Sequence, residues 1–163
     1  TTDVTGVAKL LGGAEMVMVF DTAAGELAPG MFKDLVVGPV QRLAAAFPQR
    51  LGYYSQRTQE SHLETLKVPG THFAGFGFDH RWDLARILSQ SHQGFVQGNF
   101  DQTLMFTDTS DFERKLKAYL APLKQLLVAQ RTGWICGLGH GVLPATPEDN
   151  VRRFVDLVRE TFS

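Results

Sequence analysis

Five short apolar runs, separated by longer amphipathic stretches, constrain this chain more than any other feature of its sequence. They are MVMVF (16–20), LGYYS (51–55), HFAGFGF (72–78), GFVQGNF (94–100) and GWICGLGH (133–140). None alternates strictly between apolar and polar residues. A short, nearly continuous apolar run suits a strand covered on both faces, which is the situation of parallel strands flanked by helices. Five βα units of an α/β fold are therefore expected.

The intervening stretches read as helices. Over residues 111–130, Phe112, Leu116, Leu120, Leu123 and Leu127 recur at spacings of three and four, whereas Glu113, Arg114, Lys117 and Lys124 fall elsewhere. Pro122 interrupts that run, so a kink or two joined helices is expected there. The last helix starts with Thr146 as cap, Pro147 in the first helical position, and Glu148 and Asp149 facing the positive end of the helix dipole. Its buried face is Val151, Phe154, Val155 and Val158. Pro29 and Gly30 open another helix over 31–47, with Phe32, Leu35 and Val36 in its early turns, and 58–67 supplies a shorter one.

At 163 residues and 44% hydrophobic content, the chain has material for one ordinary core. Sixteen basic against seventeen acidic side chains give a formal charge of -1 with no basic block, which argues against a nucleic-acid partner. No apolar stretch approaches the roughly 20 residues of a membrane helix, and TTDVTGVAKL opens the chain without a charged and apolar leader. Cys136 is the single cysteine, so no internal disulfide is possible and a cytoplasmic setting is expected.

Strand, loop and helix in repetition leave two architectures, an open doubly wound sheet or a (βα)8 barrel. In both, function gathers at the carboxyl ends of the strands. Those ends carry FDTAAGEL after the first run, QGNFDQ at the fourth and GLGHGVLPATPEDNV at the fifth. GLGHG does not supply the G-x-G-x-x-G of a dinucleotide site, because the third glycine position is Val142. The dinucleotide-binding reading is therefore rejected.

The three strings, in this order and spacing, resemble the second half of the uroporphyrinogen decarboxylase family. That resemblance implies a partial (βα)8 TIM barrel of about five parallel strands with flanking helices, the first half lying outside residues 1–163. It also implies a cofactor-free and metal-free carboxy-lyase that converts the acetate side chains of uroporphyrinogen to methyl groups. The residues it marks for substrate binding are Phe20, Thr22 and His140. His140 and Thr22 would hydrogen-bond carboxylates of the tetrapyrrole, and Phe20 would lie against a pyrrole face. The family's arginine-rich loop, its aspartate for the pyrrole N–H groups and a cleft tyrosine belong to the other half, so the catalytic set is expected there. A lone chain should then be inactive, and should associate with a second copy or with that other half to cover its open edges.

Each assignment has a plainer counterpart. Gly137, Gly139 and Gly141 would let the backbone turn sharply or approach a ligand closely. Asp21 reads as a loop-ordering carboxylate, and Gln97, Asn99 and Asp101 as residues that shape their loop. Among the other histidines, His62 lies in a helix, His72 and His92 border strands, and only His80 is placed for function, beside Asp79 and Arg81. Arg57 is poised toward an anion, although for Arg81 a bridge to a nearby acid is the commoner outcome. Cys136, in the apolar run GWICGL, should be buried and inert. The rival from another reaction class is a zinc- and corrinoid-linked methyltransferase of the same superfamily. It would need a later cysteine and a histidine-x-cysteine pair, and where the resemblance would place the pair this chain reads YYSQRT, with Cys136 alone four residues before His140. A non-catalytic half-barrel assembly module is the third possibility.

Overall fold

The computed structural model describes residues 12–67, 72–90 and 92–163, so the opening segment read for a leader lies outside the described residues. Five strands form: β1 (Val17–Phe20), β2 (Leu51–Tyr54), β3 (Gly75–Gly77), β4 (Phe95–Phe100) and β5 (Trp134–Leu138). Each falls within one of the five apolar runs. They make one sheet in the order β1-β2-β3-β4-β5, and the pairs β1–β2, β2–β3 and β4–β5 are parallel. Strictly sequential order is that of a (βα)8 barrel in part, because a doubly wound sheet reverses its order at a switch point. The chain is thus α/β, with five parallel strands and flanking helices. Among the described residues no helix is long and apolar enough to cross a membrane.

By contact the described residues fall into two compact units, one running to Gly77 with Gln93–Phe95, the other comprising Phe78–His92 and Val96–Ser163. In the first, α1 consists of Pro29–Phe32 and Gly38–Ala46 joined by a π turn at Lys33–Val37. The π turn inserts one residue, so the buried series runs Phe32, Val37, Val40, Ala44, and Leu35 is left 60% exposed instead of facing the core. Phe32 meets the rings of Tyr53 and His62 edge to face, at 6.4 and 5.0 Å. His62 lies on α2 (Glu60–Leu66), where its Nδ1 accepts from the backbone N–H of Gln59 (3.0 Å). The ring proton therefore sits on Nε2, which donates to the Leu27 carbonyl (2.8 Å). It is a satisfied core histidine.

In the second unit, α3 (Leu84–Ser89) is capped by Asp83 and α4 (Thr109–Gln125) by Asp108, whose Oδ1 accepts from the backbone N–H of Asp111 (2.9 Å). That bond holds the Asp108 carboxyl below the usual carboxylate range. Helix α4 runs on through Pro122 for three residues; a separate 3-10 turn (Val128–Arg131) follows, which leaves Leu127 outside the helix and 71% exposed. Two joined helices at the proline are thus not what forms: the helix is one element across Pro122 and ends at Gln125. Helix α5 spans Glu148–Phe162, with Pro147 at the cap position and no side-chain cap. Thr146 does not cap, because its hydroxyl donates to the Leu143 carbonyl (2.7 Å) and closes the preceding turn instead. The buried residues of α5 are Asn150, Phe154 and Leu157, with Val151 and Val158 partly covered; Val155, expected inside, is 40% exposed. Phe100, Met105, Phe112, Leu116 and Leu120 complete this core.

Candidate functional site

The first unit builds its polar strand end on β1. Phe20 is the last residue of the strand, 66% exposed, and its ring stands edge-on to Tyr54 at 5.8 Å. The backbone N–H of Asp21 donates to the Tyr54 carbonyl (2.8 Å), which extends the ladder by one residue. Its carboxylate accepts from the Tyr53 hydroxyl (3.3 Å), so Asp21 orders the loop as expected. Burial first, then the Asp21 charge, raise the pKa of the Tyr53 phenol. Thr22 follows, exposed.

Beyond Thr22 the chain is latched down. The backbone N–H of Gly25 donates to Ser55 Oγ (2.9 Å), and a Cβ added at Gly25 would lie 2.0 Å from the Gln56 carbonyl oxygen. Glycine is required there by space. Ser55 was missed by sequence reasoning, since its partner is 30 residues away and a hydroxyl after a strand announces no particular acceptor or donor. Arg57 forms an ion pair with Glu26 (2.6 Å), both about half exposed.

In the second unit, the ends of β4 and β5 and the turn after β3 pack backbone against backbone. Asn99 is 3% exposed, and its amide donates to the carbonyls of Asp79 and Trp82, each at 2.8 Å. Asp79, 1% exposed, accepts from the backbone N–H of Arg81 (2.9 Å) and from its guanidinium (2.7 Å), the ion pair that was the plainer expectation. Asp101 starts the 3-10 turn after β4 by accepting from the backbone N–H (2.9 Å) and hydroxyl (2.7 Å) of Thr103. Asn99 and Asp101 thus shape their loops.

Of the three glycines around His140, Gly139 alone is hemmed in. A Cβ there would stand 2.5 Å from the His80 nitrogen and 3.1 Å from the Asn99 oxygen, whereas Gly137 and Gly141 have nothing within 4 Å. None of the three has a positive φ, so neither a left-handed turn nor general crowding accounts for the string. His140 itself is half-buried, two residues beyond β5. Farther along the same string, buried Asn150 donates to the Met105 and Thr107 carbonyls (2.9 and 3.0 Å), tying α5 to the loop after β4. Sequence reasoning passed over Asn150, because a polar residue in the first turn of a helix ordinarily faces water.

His80 has its Nδ1 3.9 Å from Asp101 Oδ1, too far for a hydrogen bond. Together with Trp82, Asn99, Asp101, Lys115 and Tyr119 it lines a cavity of about 310 Å³ within this unit. Cys136, expected to be buried, is half-buried against this unit's core, and desolvation pushes its thiol pKa up to about 12.

Phe20 and Thr22 thus belong to the first unit and His140 to the second, each at or just beyond the carboxyl end of a parallel strand. Sequential parallel strands whose carboxyl ends carry the polar loops define a protein of the βα-barrel class. Residues 6–161 match the family described as uroporphyrinogen decarboxylase (URO-D), and the chain belongs to that family. The uroporphyrinogen decarboxylase of Chlamydia muridarum is 33% identical over 149 residues, which cover 90% of this chain and 43% of that protein. That of Roseiflexus sp. is 32% identical over 162 residues, covering 94% and 44%. The chain therefore spans less than half the length of these relatives. A methyltransferase from Methanosarcina mazei superposes with a TM-score of 0.74 at 19% identity, over 99% of this chain and 47% of that one, a likeness of fold.

Proposed function

We propose that this chain supplies part of the substrate cleft of a cofactor-independent uroporphyrinogen decarboxylase, with Thr22 and His140 as donors to tetrapyrrole carboxylates and Phe20 as an apolar wall. The observation that carries the reading is the family match over residues 6–161, with Phe20, Thr22 and His140 falling at strand ends. Uroporphyrinogen is a flexible octacarboxylate. A site for it needs hydrogen-bond donors toward the carboxylates and flat apolar surfaces toward the pyrroles. An exposed hydroxyl, an imidazole and an exposed phenyl ring at strand ends are groups of that kind.

Loss of CO2 from a pyrrole acetate proceeds once the electron-rich ring is protonated, because the C–C bonding electrons then flow into the cationic ring to give an exocyclic methylene; protonation of that carbon forms the methyl group, and loss of the ring proton restores the pyrrole. Stabilising that cation and delivering the proton fall to residues of the other half of the barrel. Thr22, His140 and Phe20 orient the substrate. In this reading the 163-residue chain by itself does not turn over and associates with a second copy or with the other half.

The test is kinetic. In the enzyme that carries both halves, Thr22→Val and His140→Ala should each lower kcat/KM for uroporphyrinogen by about 10- to 100-fold, which is the loss of a hydrogen bond to a charged group. Unchanged kcat/KM in both variants overturns the assignment. Light scattering and a decarboxylation assay on the isolated chain address the rest: a stable monomer, or measurable turnover, contradicts it.

A further inference from the structure

We propose that Asn99 is a positioning residue for His140, acting through the slot that seats Gly139; the functional side of this inference rests on the ligand role proposed above for His140. The slot has three walls, all of them backbone. On one side lies the turn after β3: an added Cβ on residue 139 would meet the His80 nitrogen at 2.5 Å and the Asp79 carbonyl carbon at 3.1 Å. On another lies the Asn99 carbonyl oxygen, 3.1 Å from the same point. The third contact is a hydrogen bond, the Gly139 N–H to the Phe100 carbonyl at 2.7 Å.

One side chain governs the spacing of these walls. The turn is closed by the Trp82 N–H donating to the Asp79 carbonyl at 3.2 Å, and the Asn99 amide then donates to both the Asp79 and the Trp82 carbonyls at 2.8 Å. Strand β4 and the turn are thereby held at the separation that a glycine fits and a Cβ does not. Two N–H donors on a short side chain are needed. Aspartate, of the same shape, would set carboxylate oxygens against two carbonyl oxygens, and glutamine is a methylene too long.

Both donors of the Asn99 amide are committed to backbone, and the residue is 3% exposed, so its N–H groups are not offered to a ligand. What it fixes is the path of residue 139, and His140 is the next Cα, about 3.8 Å along the chain. A shift of the slot is therefore passed directly to the imidazole, and binding geometry is sensitive to displacements of that order.

The experiment uses Asn99→Asp in the protein that carries both halves of the barrel, with amide hydrogen exchange and binding of uroporphyrin as readouts. Protection at Gly139 should fall by about tenfold or more while amides in the middle of α5, such as Leu157, change by less than about twofold. Uroporphyrin affinity should fall about tenfold in the chain that retains His140, and Asn99→Asp should add nothing in a His140→Ala background. Unchanged protection at Gly139, or an equal loss of affinity in both backgrounds, overturns the proposal. Should the aspartate variant not fold, Asn99→Ala, which introduces no charge, is held to the same two criteria. If His140→Ala does not alter uroporphyrin binding by the protein that carries both halves, the ligand reading fails, and the exchange measurement alone decides whether Asn99 sets the slot.

Discussion

The two units treat their polar strand ends in opposite ways. In the first, the loop after β1 is fastened from below, by the Ser55 hydroxyl to Gly25 and by His62 to Leu27, while Phe20 and Thr22 remain exposed. In the second, nearly every conspicuous residue is buried in packing: Asn99 across the turn after β3, Gly139 in its slot, Asn150 under α5. His140, by contrast, is half-buried at the end of its strand. Within GLGHGVLPATPEDN packing thus accounts for Gly139 and Asn150, whereas Phe20 and Thr22 of FDTAAGEL stand exposed.

The largest effect that would test this contrast is steric. Gly139→Ala and Gly25→Ala both drive a methyl group into backbone, at 2.5 and 2.0 Å, and each should cost about 3 kcal/mol or more in urea denaturation. Gly137→Ala and Gly141→Ala, in open space, should remain within about 0.5 kcal/mol. If the four variants proved alike, the slot would have no energetic meaning.

Next comes Asn150. Replacing it with alanine strips the Met105 and Thr107 carbonyls of a buried donor, with an expected loss of about 1–3 kcal/mol. A neutral result would mean that water satisfies those carbonyls and that the tie between α5 and the loop is weak.

A smaller effect concerns pH. The Cys136 thiol is pushed up to about 12 by burial, the Tyr119 phenol is raised by burial and then by Cys136, and the Tyr53 phenol by burial and then by Asp21. Their unfolded values are about 8.5 for the thiol and about 10 for the phenols. Above pH about 8 the unfolded chain begins to release protons that the folded chain retains, so stability is full below that pH and declines as pH rises. The urea midpoint should fall between pH 8 and 10.5, and Cys136→Ala should lessen the fall. The same burial predicts alkylation of native Cys136 at neutral pH at least about 100-fold slower than of a free thiol. Rapid labelling, or a midpoint indifferent to pH, would contradict the burial argument.

The smallest effect is at the surface of the first unit. The Arg57–Glu26 pair is 52% and 54% exposed, and Arg57 holds a φ of +64°. Exposed pairs contribute little, and glycine relieves the left-handed backbone, so Arg57→Gly should alter stability by less than about 0.5 kcal/mol. A substantial loss would indicate that this corner is as tightly determined as the Gly139 slot.

The sequence by itself determined what is local. Five apolar runs became five strands because continuous apolarity over so short a length has few other uses, and the faces of α4 and most of α5 followed from their spacing. The polar loops that follow the strands were legible for the same reason, and the barrel was implied by the resemblance of three of them. Tertiary structure decided what depends on neighbours far along the chain. Sequential strand order is a choice among packings of the same units, which no single unit encodes. The π turn that exposes Leu35, the helix that continues through Pro122, and Thr146 closing a turn instead of capping are settled by how elements fit together. Which glycine in GLGHG was needed for space could not be read from the string, since what surrounds Gly139 comes from residues 79, 80 and 99. Whether an asparagine faces a ligand or fills a slot depends on where two distant carbonyls lie, and only the folded chain brings them within 2.8 Å of Asn99.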